Sequence, residues 1–134
     1  MSDMNAIIRW TDADRFIGSA NSGHAIVIDA GSEKAASSPV ELVLMALCAC
    51  TAADVVSILR KKREAFTSVE VLAESERASQ PPRVFRKIKL IYRVGGKVTR
   101  KAVEDAVRLS IDKYCSVEAM LKATAKITSV IELI

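Results

Sequence analysis

From Leu42 to Leu59 the chain is apolar apart from Thr51, Asp54 and Ser57, and no other segment restricts the fold so tightly. These eighteen residues fall short of the about 20 that a membrane span requires. An aspartate near the centre of such a span would also cost about 2.5–3.5 kcal/mol. The segment reads instead as a helix, or two consecutive helices, buried on nearly every side. A helix apolar all round has to be covered all round, and a short chain with a few strands covers one flank. The same helix of a second copy is the economical cover for the other, so an obligate homodimer is expected. Ser38-Pro39-Val40-Glu41 announces the start. Ser38 suits the N-cap, Pro39 the first helical position, and Glu41 completes a capping box. At the far end Arg60-Lys61-Lys62-Arg63 reads as a solvated helix terminus, where the dipole favours cations.

The rest of the chain must supply the cover. With 134 residues and 4% aromatics, one domain over residues 1–134 with an aliphatic core is expected. Three short β-favouring runs come first: Ala6–Trp10, Arg15–Gly18 and Ala25–Ile28. Turn-formers separate them, so an antiparallel meander is the simplest arrangement. After Arg63 the period changes to two. Val69, Val71 and Ala73 alternate with polar residues, as do Ile88, Leu90, Tyr92 and Val94. Ser79–Arg83 turns the chain between them and Gly95-Gly96 ends the second strand, which together describe a long hairpin. A helix is expected over Val98–Lys113, with Val103, Ala106, Val107 and Tyr114 on one stripe. Cys115 follows, Ser116 caps a short helix, and a strand closes the chain within Thr124–Ile134.

Composition narrows the function. The surplus of 20 Lys+Arg over 16 Asp+Glu is mild and spread out. No aromatics interleave with the basic residues, so no nucleic-acid partner is expected. Met1-Ser2-Asp3-Met4 is polar and acidic, unlike a secretory leader. Three cysteines without Cys-x-x-Cys or framework spacing fit a reduced, cytoplasmic compartment. His24 is the only histidine and lies far from the cysteines, so neither a metal nor another cofactor is expected. The chemistry-bearing side chains reduce to three thiols and a few charges. Cys48 and Cys50, within the apolar segment, each read first as small packed hydrophobes. Cys115 sits at the mouth of a helix N-terminus, where partial positive charge lowers a thiol pKa.

Ser38 to Leu59, with Cys48-Ala49-Cys50 at its centre, resembles the signature of the OsmC/Ohr family, and more particularly its YhfA-like branch. Tyr114-Cys115-Ser116-Val117 is similar to that family's later Cys-Pro/Ser-Val segment. The resemblance implies an α+β OsmC-like fold, with antiparallel sheets wrapped around buried central helices in an intertwined homodimer. It also implies thiol chemistry. Cys50 would attack a hydroperoxide, organic ones above all, and become a sulfenic acid. Cys115 would condense with it to a disulfide for a cellular dithiol to reduce, and Cys48 would be an extra. Family peroxidases activate the thiolate with an arginine from the N-terminal strands, for which Arg15 is the candidate. They also use a glutamate directly after the helix-starting proline. Here that position is Val40, and the only carboxylate at hand is Glu41, turned about 100° around the helix. Asp54, one turn beyond Cys50, would oppose ionisation of a neighbouring thiol. The competing expectation is a dimeric binding module for a small apolar ligand, or a redox switch, without peroxidase activity.

Overall fold

A computed structural model describes residues 4–134; Met1-Ser2-Asp3 of the polar start discussed above lie outside the described residues. The chain clusters into two compact units, Met1–Leu44 and Met45–Ile134, with one helix beginning in the first and running on into the second.

The first unit is the expected meander. Strands β1 (Ala6–Asp12), β2 (Arg15–Ala20) and β3 (Ile26–Asp29) pair antiparallel in that order. Asp29, 3% exposed, accepts from the Gly31 and Ala35 amides and so shapes the loop that follows. Helix α1 (Pro39–Lys61) starts with the capping box read from the sequence. The Ser38 amide donates to Glu41 Oε1 at 2.9 Å, and the Glu41 amide donates to Ser38 Oγ at 3.2 Å.

Helix α1 is continuous, and within the chain it buries a single stripe rather than nearly every side. That stripe is Leu47, Thr51, Val55 and Leu59, spaced by four as a helix face requires. Val43 and Met45 are 40% and 48% exposed. By length and composition alone the whole of α1, longer than its apolar run, is of a kind that could cross a membrane, as are core helices of soluble proteins. Its basic end stops in a Schellman arrangement: the Glu64 amide donates to the Leu59 carbonyl and the Arg63 amide to that of Arg60. Arg63 takes the left-handed conformation there, at φ 58°.

In the second unit β4 (Ala65–Arg77) and β5 (Phe85–Lys97) form the expected hairpin, closed where the Ala78 amide donates to the Val84 carbonyl. Gly95-Gly96 do not end β5. The strand continues to Lys97 past a bulge at Thr67 of β4, between Phe66 and Ser68. Gly96 makes this possible: its φ is +106°, and a Cβ there would lie 2.6 Å from both Ala65 O and Thr67 N. Strand β6 (Lys126–Leu133) lies parallel to β5, so this sheet is mixed rather than wholly antiparallel. The helical connection between β5 and β6 allows it, because parallel neighbours need a crossover that a tight turn cannot make.

That crossover departs from one long helix. Helix α2 (Arg100–Leu109), capped by Thr99, gives way to a π-helical turn over Ser110–Tyr114. The Cys115 amide donates to the Ser110 carbonyl at 2.8 Å, five residues back. The wider turn advances the buried stripe by one residue. Val103, Ala106, Val107 and Ser110 are buried as the period demands, and Cys115 instead of Tyr114 continues the stripe. Tyr114, placed on that stripe by its sequence spacing, is 50% exposed. Helix α3 (Ser116–Leu121) follows, with Cys115 and not Ser116 as its N-cap.

Leu47→Ala removes a side chain with no exposed surface from the single α1 stripe. It should cost about 2–5 kcal/mol, read as a lower urea midpoint at unchanged slope.

Candidate functional site

The reactive side chains of the second unit gather where α1, β5 and the π turn meet. Cys50 stands on α1 and is half-buried, and Cys115 is 3% exposed. Both are free thiols, and the two side chains lie close enough to interact. Cys115 Sγ also accepts from the Glu118 amide at 3.4 Å. The sequence led us to expect a thiol acidified by the helix N-terminus. The structure corrects this: burial pushes the Cys115 thiol well above its usual value, and the Cys50 side chain adds to the rise. The Glu118 amide does pull the other way, but one amide at the mouth of a six-residue helix does not offset loss of water around the charged form. Cys48, half-buried on α1, is likewise raised by burial.

A chain of buried hydroxyls runs beside the thiols. Tyr92 Oη lies 2.8 Å from Thr51 Oγ1, which lies 2.8 Å from Ser110 Oγ. Ser110 donates to Asp54 Oδ2 at 2.9 Å. Each hydroxyl carries one proton, so the acceptor end fixes every direction. With the Ser110 proton on the Asp54 carboxylate, Thr51 must donate to Ser110 and Tyr92 to Thr51. Tyr92 is the donor at the far end of the chain, and burial raises its phenol above the usual range. Asp54, expected to act directly on Cys50, instead anchors this chain.

Glu118, in the first turn of α3, is 3% exposed. Its Oε2 has no hydrogen-bond partner among the described residues. Burial raises its carboxyl above the usual range, with Lys122 opposing the rise and Asp112 adding to it.

The first unit gives Arg15 and Glu41 local partners. Arg15 Nη2 lies 3.1 Å from Asp12 Oδ2, and Nη1 lies 3.0 Å from Glu33 Oε2. The bond from Arg15 holds the Asp12 carboxyl below its usual range. Glu41 is occupied by the capping box, and the Ser38 amide lowers its carboxyl. Of the four expected site residues, the structure brings Cys50 and Cys115 into contact.

Sequence reasoning missed Tyr92, Ser110 and Glu118. One signal was available: Thr51 is a polar residue inside the apolar run, and an internal hydroxyl there requires partners from other elements.

Thr51→Val should destabilise the protein by about 1–3 kcal/mol, because it strands hydroxyls on both sides. Tyr92→Phe, at the donor end, should cost less. Urea unfolding of the two variants checks the order.

The OsmC-like protein family model matches residues 31–130. Protein YhfA of Escherichia coli (strain K12) is 43% identical over 132 residues, covering 98% of each chain. A hypothetical protein from Aquifex aeolicus VF5 shares the structure at TM-score 0.86 and 29% identity, over 100% of this chain and 99% of that one. An organic hydroperoxide resistance protein OsmC from Legionella pneumophila is similar in fold, at TM-score 0.72 and 14% identity over 98% of both chains. The two cysteine segments that suggested the resemblance both lie within the matched region, and the chain belongs to the OsmC-like protein family.

Proposed function

We propose that this protein reduces hydroperoxides, organic ones in particular, in a general defence against peroxide stress in the cytoplasm. The observation that carries the reading is the contact between Cys50 and Cys115. In the first step the Cys50 thiolate attacks the terminal peroxide oxygen. The O–O bond breaks, the departing alkoxide takes the proton that the Cys50 thiol lost on ionising and leaves as the alcohol, and Cys50 becomes a sulfenic acid. In the second step Cys115 attacks the Cys50 sulfur, water leaves, and a disulfide forms. A cellular dithiol then returns both thiols by exchange. Membership of the OsmC-like family supports this reading, as does the likeness in fold to a protein named for organic hydroperoxide resistance.

Activation of Cys50 is the weak element. Arg15 is the candidate activator, yet it is paired to Asp12 and Glu33. Val40 stands where family peroxidases have the glutamate, and Glu41 is held by Ser38. Slow turnover is expected. Arg15's engagement favours the second reading, a dimeric binding module for a small apolar ligand whose thiols act at most as a redox switch.

The working form is proposed to be a homodimer. In the first unit Ile7, Ile8, Trp10, Ile17, Ile26 and Val27 are 42–67% exposed. In the second, Met45 on α1 is 48% exposed. A soluble monomer has little reason to leave so many large apolar side chains in water, and a second copy would cover them. Sedimentation at micromolar concentration should show a species of twice 14.5 kDa; a single protomer mass would overturn it.

The chemistry is checked by peptide mapping after mild cumene hydroperoxide. A Cys50–Cys115 disulfide is expected with Cys48 still alkylatable. Cys50→Ser should lose dithiol-dependent peroxide consumption, and Val40→Glu should raise it. Equal consumption by Cys50→Ser would leave the binding module as the better account.

A further inference from the structure

We infer that Glu118 is the proton-holding residue of the resolving step, its carboxyl delivering a proton to the oxygen that leaves Cys50 and recovering one from Cys115. This rests on the peroxidase reading above and deepens it. Three features of the second unit carry it. Glu118 is 97% removed from solvent, by its 3% exposure, in the first turn of α3. Its own amide is the hydrogen-bond donor to Cys115 Sγ, which fixes the residue beside the reacting sulfur. Its Oε2 lies buried without a partner among the described residues. A buried oxygen without a partner is costly in a folded protein and calls for an explanation, of which a redox or catalytic role is one. The sulfenic acid hydroxyl made at Cys50, the neighbour of Cys115, is a species able to supply the missing bond.

The hydroxyl chain does not compete for this role. All three of its protons point toward Asp54, and it hands none toward the thiols. The charged and titratable groups acting on Glu118 or coupled to it are Lys122 at the C-cap of its helix, Asp112 in the π turn, Cys115 at the N-cap and Tyr92 on β5. Burial among them favours the neutral carboxyl.

The step balances without another reagent. As the Cys115 sulfur bonds to the Cys50 sulfur, the S–O bond breaks and its electron pair leaves with the oxygen. Cys50 sulfur is reduced, Cys115 sulfur is oxidised, and the departing hydroxide takes the Glu118 proton to leave as water. The Cys115 thiol proton restores the carboxyl, so no net proton enters or leaves.

The test separates the two steps in a single turnover with cumene hydroperoxide, from about pH 5 to 9. Dimedone trapping reads the sulfenic acid, and rapid alkylation with mass spectrometry reads the disulfide. Glu118→Gln keeps the shape and removes the exchangeable acid. It should slow disulfide formation about 100-fold, far more than sulfenic acid formation, and flatten its pH profile, while Glu118→Asp should recover part of the rate. Infrared spectra of the unsubstituted protein serve if the variants fold poorly: a protonated-carboxyl band should be present at neutral pH and shift on oxidation of the pair. Native-rate disulfide formation with an unchanged pH profile in Glu118→Gln overturns the inference, as does absence of that band. If the unsubstituted protein forms neither sulfenic acid nor disulfide, the peroxidase reading itself fails.

Discussion

The hydroxyl of Thr51 holds together the elements on which the candidate site depends. It sits on the stripe that α1 buries within the chain, and it bonds at once to Tyr92 of β5 and Ser110 of the π turn. A hydroxyl in that position cannot remain unpaired without a cost of about 1–3 kcal/mol. Helix, strand and crossover are therefore fixed in one relation. The π turn follows from the same requirement. It keeps Ser110 facing inward toward Thr51 and brings Cys115 round to the buried side, where a regular helix would have placed Tyr114. The meeting of Cys50 with Cys115 thus depends on a polar contact between Thr51, next to Cys50, and Ser110, five residues before Cys115.

This arrangement buries Cys115 and leaves Cys50 half-buried beside it. Burial outweighs the helix N-terminus at Cys115, so proximity of the two sulfurs, and not acidity of the second, is what the structure provides. In a two-step thiol mechanism that division is workable. The resolving cysteine needs to be close and to find a route for its proton when its turn comes, and it need not be ionised at rest. The buried carboxyl of Glu118 stands on the helix turn that Cys115 caps.

The first unit shows how one position alters the use of a side chain. Glu41 follows Pro39 by two residues and reaches back to the Ser38 amide. A carboxylate directly after the proline would project about 100° away, off the capping box and free for other work. Arg15 shows the same economy, with its guanidinium shared between Asp12 and Glu33. Charges that could activate a thiol are here used to order the strand turn and the loop after β3.

The sequence by itself determined every element whose signal is local: the meander from its short β runs, the start of α1 from Ser38 and Glu41, its basic end, and the long hairpin from its period of two. Two cysteine segments were enough to bring out the family. What only the tertiary structure decided are features set by partners distant in sequence. Leu47, Thr51, Val55 and Leu59 were chosen as the buried stripe of a helix apolar on all sides, because a uniform pattern carries no phase. Strand β6 lies parallel to β5 because of the crossover that delivers it, which its own residues do not record. The one-residue shift at Ser110 is invisible in a sequence whose hydrophobic spacing continues smoothly to Tyr114. Cys115 capping its own helix, and Glu118 buried behind it, both follow from that shift. Period and capping act over a few residues and leave a trace in the chain, whereas burial depends on which distant surface arrives to exclude water.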